Sequence, residues 1–257
     1  MNVVRKLGFA LGLPIGLIAI WWVTTVNSTS FFVPKPQPLL NTFIETWFSE
    51  RFMTDVVPSV TRFAIGVAAA IVLGIGLGLF IGTVTWLRKL IEPVLEFFRA
   101  IPPPVLVPVL MLVFGVTDTM KIAVIISGSI WPVLLNTVEG VRSVDSVLSD
   151  TCRTYGIGGA SRFRYLVLRS ASPQIMAGIR QALSIGLILM VISEMFASSS
   201  GLGFTIVQFQ RGFAVDEMWS GIVVLGLIGI ILSILFQFTE RRVLGWYHAQ
   251  REVQRGR

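Results

Sequence analysis

The sequence predicts an all-α membrane protein with about six transmembrane helices. Of its 257 residues, 54% are hydrophobic and only 14% are charged, and a soluble domain of this size could not keep that much apolar surface out of water. Several apolar runs reach about twenty residues, the length at which a helix crosses the hydrocarbon core. The net charge of +7 comes from short basic clusters beside these runs, which is typical of topology signals and not of nucleic-acid binding.

Six segments meet the length requirement for a membrane span. They are 7–26, 58–85, 93–114, 119–138, 173–197 and 218–239. The first is predicted to be a retained helix and not a signal peptide, because its apolar run is too long and no A-x-A-like site follows. In the second, Gly74 and Gly78 have the small-xxx-small spacing that allows close helix approach. We expect packing within the chain there, with a seam between two copies as the alternative.

The positions of the basic residues predict that both termini are cytoplasmic. With an inside N-terminus, cytoplasmic lysines and arginines outnumber external ones by roughly three to one, as the positive-inside rule requires. Asp118 and Lys121 then lie at the outer start of the fourth span, and we expect both in water.

The chain divides into three parts along its length. Residues 1–57 hold the first span and an external amphipathic segment, residues 58–242 form the core membrane domain, and residues 243–257 form a basic cytoplasmic tail. In the external segment, Leu39, Phe43 and Trp47 repeat at helical spacing. This pattern predicts a helix on the outer membrane surface, anchored in lipid by Trp47 and the phenylalanines.

A long polar loop, 139–172, interrupts the core domain on the cytoplasmic side. It carries several arginines and the run Gly156-Ile157-Gly158-Gly159, and loops of this length in a compact chain are usually functional. We predict a short helix centred on 151–155 that ends at Gly156, since glycine commonly terminates helices. This loop is expected to dock a soluble partner.

Two places in the spans are candidates for a translocation pathway. Three consecutive prolines that include Pro103 and Pro104 cannot sustain a regular helix, and broken backbone is tolerated in a membrane only where it meets protein or a water-filled cavity. The alternative is a helix that starts after the prolines at the interface. Glu194, beside Met195, is an intramembrane carboxylate and so a functional candidate, with structural pairing at the outer interface as its alternative.

The external segment 198–217 is expected to contact an outside partner. Its apolar part includes Phe209, and Arg211, Asp216 and Glu217 supply a charged rim of the kind that steers protein association. The alternative is a plug that re-enters the membrane without contacting a partner.

The sequence contains no signature of catalysis or of nucleotide binding. No GxxxxGK[ST] phosphate loop, HExxH motif, CxxC pair or GxSxG elbow is present, so we expect a non-catalytic subunit without a cofactor or metal of its own. Two other classes fit less well. An intramembrane enzyme acting on lipid needs clustered His, Asp or Glu near the headgroups, and a small secondary transporter shows inverted repeats; neither feature is evident.

The order of several segments resembles a known family. Asp150, Thr151 and Cys152 stand where the EAA motif has Glu-Ala-Ala, and Gly156 matches the motif glycine, although Arg169 replaces a usual proline. Further matches are EPVLEFFRAIPPPVLVPVLMLVFGVTDTMKI, WPVLLNTVEGVRSV and ISEMFASSSGLGFTI. The chain is similar to permease subunits of bacterial ABC importers, in the branch that takes up nitrate, taurine and aliphatic sulfonates.

That resemblance implies a transport complex of several subunits and a role for each of them. It implies a type I importer fold in the bacterial plasma (inner) membrane, a second permease that is identical or related, two ATP-binding subunits and an external solute-binding protein. ATP and Mg²⁺ would be held by the partner ATPase. Coupling to that ATPase falls on the loop residues Asp150, Thr151, Cys152, Arg153, Tyr155 and Gly156. The implied cargo is a small organic or inorganic anion.

Overall fold

The computed structural model describes residues 3–28, 30–196, 198–247 and 249, and over these it contains helices and no strands. The predicted basic tail therefore lies largely outside the described residues. The helices are α1 (Val3–Thr25), α2 (Pro36–Trp47), α3 (Val57–Thr83), α4 (Thr85–Ala100), α5 (Leu106–Phe114), α6 (Asp118–Arg142), α7 (Ser146–Thr154), α8 (Gly159–Arg162), α9 (Leu168–Phe196), α10 (Leu202–Arg211) and α11 (Val215–Val243). Short π-helical turns, Phe52–Val56 and Phe163–Val167, lead into α3 and α9, and a 3₁₀ turn, Pro103–Val105, leads into α5.

The membrane spans follow the predicted order. Among the described residues, four helical stretches are long and apolar enough to cross a bilayer: Phe52–Thr83, Asp118–Arg142, Gly159–Phe196 and Val215–Val243. Thr85–Ala100 and Pro103–Phe114 are long and apolar enough only together, and they meet at 74°, the geometry of a broken span or of a re-entrant loop. The predicted third span is thus two helices and not one, because the prolines end α4 and start a new turn. Helix α1 is apolar over Gly12–Thr25, which is shorter than a full span, so the first predicted span stays a prediction.

The centre of the fold is a three-helix core of α3, α6 and α9. A Cβ on Gly74 would lie 2.8 Å from the Cβ of Val133, and one on Gly78 would lie 2.6 Å from the Cβ of Thr137. Small residues therefore let α3 and α6 approach closely, which confirms the prediction of packing within the chain. Of the four continuous spans, α6 has the largest buried share although it is the least apolar, and α11 has the smallest.

Helix α2 does not use Trp47 as a lipid anchor. Trp47 is 3% exposed, and its indole Nε1 donates a 2.9 Å hydrogen bond to Ser220 Oγ on α11. A buried indole N–H needs such a partner. The glycine at 221 leaves room for Ile206 of α10, whose Cγ1 would lie 2.7 Å from an added Cβ. The predicted anchoring role of Trp47 was wrong, whereas Phe48, 81% exposed, is free of such packing.

Candidate functional site: helix α7 and the buried ion cluster

Helix α7 lies in the long polar loop 139–172. It begins at Ser146, where the Asp145 side chain accepts a 3.0 Å hydrogen bond from the Leu148 N–H, a standard N-cap that satisfies one of the free donors of the first turn. The helix runs from Ser146 to Thr154, so the predicted centre at 151–155 corresponds to its C-terminal half. It begins earlier than predicted because Asp145 caps it. None of the residues of α7 is buried, so the helix is accessible to a partner protein.

Gly156 ends α7 in a left-handed conformation. Its φ is +68°, the Ile157 N–H bonds to the Cys152 carbonyl at 2.8 Å, and the Gly156 N–H bonds to the Arg153 carbonyl at 3.1 Å. This pair of bonds resembles the Schellman arrangement, in which glycine is favoured because it has no Cβ to strain the turn.

The predicted coupling residues therefore share one short element. Asp150, Thr151, Arg153 and Tyr155 are exposed and Cys152 is half-buried. The return segment, which consists of α8 and the π-helical turn between α7 and α9, is held to α7 because Arg162 Nη2 donates a 3.0 Å hydrogen bond to Ser149 Oγ. Apolar side chains are also exposed in this part of the loop, namely Val147, Leu148, Tyr155 and Ile157, and such surface usually marks an interaction site.

Glu194 lies near the C-terminal end of α9 in a fully buried cluster. Its side chain is 0% exposed and its Oε1 is 2.8 Å from Arg62 Nη1 of α3. Ser59 Oγ donates to the same carboxylate at 2.8 Å, and the Gly203 N–H donates to Oε2 at 3.0 Å. A charge in this position needs such partners, since an unpaired buried carboxylate is costly.

The same cluster satisfies the start of α10. The Gly201 N–H donates to Asp55 Oδ1 at 3.3 Å, the Leu202 N–H donates to Ser59 Oγ at 2.9 Å, and the Gly203 N–H is held by Glu194. These are the donors that a helix leaves free at its N-terminus, where negative charge is also favoured. Gly201 has φ +114°, and a Cβ there would lie 2.5 Å from the Glu194 carboxylate, so only glycine fits.

Two cations of this cluster were not anticipated. Arg62 is 5% exposed and Lys121 is 4% exposed, and both reach Asp118 Oδ1, at 2.9 Å from Arg62 Nε and 3.2 Å from Lys121 Nζ. The Arg62 Nε contact is close in distance but lacks hydrogen-bond geometry. The prediction that Lys121 lies in water was wrong, because the ion pair with Asp118 compensates its burial, while the Asp118 side chain itself is 63% exposed.

The four residues predicted for a pathway do not form one cluster. Pro103 is half-buried and faces Gly128, where an added Cβ would lie 2.9 Å from the Pro103 ring. Pro104 and Met195 are exposed, whereas Glu194 belongs to the buried ion cluster. Glu194 is paired with Arg62, Ser59 and the Gly203 N–H, which is the structural pairing that was the alternative to a pathway role.

The segment 198–217, predicted to be external, folds back on the chain through α10. Leu202 and Thr205 are buried against the neighbouring helices, and Phe209 is half-buried with the Arg51 guanidinium 5.1 Å from its ring centre. Arg211 is exposed at the end of α10, and Asp216 and Glu217 are half-buried in the first turn of α11. The polar rim predicted for a partner thus lies at the corner between α10 and α11.

Comparison with known proteins decides the family. The family model described as "Binding-protein-dependent transport system inner membrane component" matches residues 53–245, which is most of the chain. The chain belongs to this family. The matched region contains α7 as well as the three-helix core, and the protein is therefore a multi-pass component of the inner membrane.

Named relatives narrow the group within the family. The chain is 28% identical to the taurine transport system permease protein TauC of Escherichia coli, over 95% of this chain and 91% of TauC. It is 30% identical to the putative aliphatic sulfonates transport permease protein SsuC of Bacillus subtilis, over 94% of this chain and 89% of SsuC. It is 25% identical to the nitrate import permease protein NrtB of Synechocystis, over 90% and 87% respectively.

A solved structure supports the fold. A chain of the MetNI methionine ABC transporter, in an inward-facing conformation, matches with a TM-score of 0.59 at 19% identity, over 74% of this chain and 93% of that chain. The solved structure gives a type I importer permease fold, and the family and the named relatives make this protein the permease subunit of an ABC importer.

Proposed function

We propose that this permease forms, with a second identical or related permease, the pathway through which an ATP-driven importer moves a small oxyanion into the cell. Two ATPase subunits, which hold ATP and Mg²⁺, would power the cycle, and an external binding protein would deliver the solute. The observation that carries this proposal is α7, a cytoplasmic helix without a buried residue within the region that matches the family.

The geometry of α7 suits mechanical coupling to an ATPase. A helix capped at both ends, by Asp145 at its start and by the Gly156 turn at its end, can move as one body when a partner pushes on it. Asp150, Thr151, Cys152, Arg153 and Tyr155 would make the contact. The return segment continues directly into α9, so a displacement of α7 would be transmitted to a core helix that carries Glu194 at its other end.

The proposed cargo is an oxyanion of the sulfonate or nitrate class. Relatives named for taurine, aliphatic sulfonates and nitrate share this chemistry, in which several oxygens carry one negative charge. The direction of import is supported by the nitrate import permease among the relatives and by the binding-protein dependence of the family. The positive-inside rule places α7 and the basic clusters on the cytoplasmic side, with both termini cytoplasmic.

Reconstitution tests this function directly. The permease is purified with the ATPase that co-elutes with it, placed in proteoliposomes and supplied with its binding protein and ATP. Uptake of radiolabelled taurine, an alkanesulfonate or nitrate that depends on both ATP and the binding protein is the expected result. Absence of any co-eluting ATPase, or uptake driven by an ion gradient without ATP, would contradict the proposal.

We further expect the corner between α10 and α11 to contact the binding protein. Arg211 is exposed there, and rim charges of this type steer association more than they add affinity. Cysteines at Arg211 or Glu217 should crosslink to the docked binding protein, whereas a cysteine at Arg153, on the cytoplasmic tip, should not. If Glu217→Cys were labelled only from the cytoplasmic side, the proposed topology would be wrong.

A further inference from the structure

Helix α4 carries two different faces. Glu92, Glu96 and Arg99 repeat at i, i+4 and i+7 and so share one face of the helix. Trp86, Leu90 and Phe97 share another face and are 65–68% exposed. A third set, Leu87, Ile91 and Leu95, packs against the cytoplasmic ends of α3 and α6. The helix therefore has, beside its protein-facing side, one bare apolar side and one ionised side.

The charged face reaches deep into the membrane. Phe98 stacks on Trp131 of α6 with ring centres 6.3 Å apart, and Trp131 lies eleven residues from the end of α6 at Arg142. Eleven helical residues rise about 16 Å, roughly half of the ~30 Å hydrocarbon core. Glu96 and Arg99, which flank Phe98, are consequently near the middle of the bilayer and not at its surface.

Lipid is an unfavourable neighbour for that face. Glu96 and Arg99 form a 2.7 Å ion pair, and the side chains of both are about half exposed. An ionised group at the centre of a bilayer costs about 2.5–3.5 kcal/mol, so charged side chains at this depth face water or protein. The apolar face with Trp86, Leu90 and Phe97 is the one that hydrocarbon can cover.

We infer that the Glu92–Glu96–Arg99 face of α4 lines the cytoplasmic half of the translocation pathway as a wall wetted by water. This inference rests on the proposed function, which requires a pathway beside a second permease. The 74° bend between α4 and the helix that follows it fits this assignment, because it carries α4 away from the line of the outer half-span and opens space at the inner side.

Accessibility of single introduced cysteines to a charged thiol reagent tests this wall. Glu96→Cys and Glu92→Cys lie on the proposed wall, and Leu90→Cys and Phe97→Cys on the apolar face are the matched controls. The complex of permease and ATPase is reacted in inside-out vesicles with a membrane-impermeant cationic methanethiosulfonate, and the signal of Cys152 in the wild-type complex is subtracted. Because such reagents require a hydrated thiolate, we expect the wall positions to react at least about tenfold faster than the controls.

A second measurement separates a pathway from a merely wet surface. When the ATPase is trapped with ATP and vanadate, the inner mouth is expected to close, and the reaction at Glu92→Cys and Glu96→Cys should slow severalfold. Equal rates on both faces of α4, or rates at the wall positions that do not respond to trapping, would overturn the inference. ATP-dependent uptake by the wild-type complex is measured in parallel, so that failure of the proposed function is recognised separately.

Discussion

Replacing Glu194 with glutamine is expected to destabilise the permease strongly. The amide keeps the shape of the side chain but removes the buried counter-charge of Arg62, which is 5% exposed and 2.8 Å from the carboxylate. Breaking a buried ion pair by removing one partner costs about 3–5 kcal/mol, and the more exposed Asp118, 2.9 Å from Arg62 Nε, offsets only part of that cost. The free energy of unfolding in mixed micelles, measured by denaturant titration, should fall by an amount of this order.

Controls for this experiment exist within the chain. Glu45→Gln removes an exposed carboxylate on α2 and should change the free energy of unfolding by less than about 0.5 kcal/mol. Arg62→Met should be strongly destabilising in the wild type and less so in the Glu194→Gln background, since coupled residues are non-additive. If the Glu194→Gln variant were as stable as the wild type, the charge of Glu194 would not be what stabilises this cluster.

The second large effect is expected from valine at Gly156. The left-handed backbone at φ +68° strains any residue with a Cβ by about 1–2 kcal/mol, and a β-branched one more, so the turn that ends α7 should be disrupted. A difference of 1–2 kcal/mol changes a conformational equilibrium by about 5- to 30-fold. Binding-protein-stimulated ATP hydrolysis and uptake should fall accordingly, while the amount of permease in the membrane stays the same.

Gly158 provides the matched control for that variant. Both glycines have open space around the position of a Cβ, but Gly158 has an extended backbone with φ −125°, which any residue adopts without strain. Gly158→Val should therefore retain uptake and stimulated ATP hydrolysis. Equal loss of activity in both variants would indicate that bulk in the loop, and not the shape of the turn, is what matters.

The elements predicted well from the sequence are those that the bilayer itself constrains. Span length follows from membrane thickness, and the break near Pro103 follows from proline chemistry, so both are local properties of the sequence. The end of α7 at Gly156 was also predictable, because the glycine turn is a local signal. Its start at Ser146 was missed, since the Asp145 cap lies in a stretch whose composition is equally typical of a loop.

The buried ion cluster shows where local prediction fails. Arg62 and Lys121 stand near the starts of their helices, where a charged residue is normally solvated, and the carboxylate of Glu194 is 132 residues from Arg62. Only the packing of α3, α6 and α9 against one another brings these charges together. Trp47 was misjudged for a similar reason, because its partner Ser220 is 173 residues away.

The close packing of α6 between α3 and α9 bears on how the protein is made. A segment that is the least apolar of the continuous spans partitions poorly into lipid by itself, since each polar residue weakens insertion. Its polar residues Ser129 and Thr137 are fully buried in the finished fold. Helix α3 precedes α6 in synthesis and offers the glycine surface against which α6 packs, so biogenesis of this permease should depend on α3 remaining beside the insertion machinery until α6 emerges.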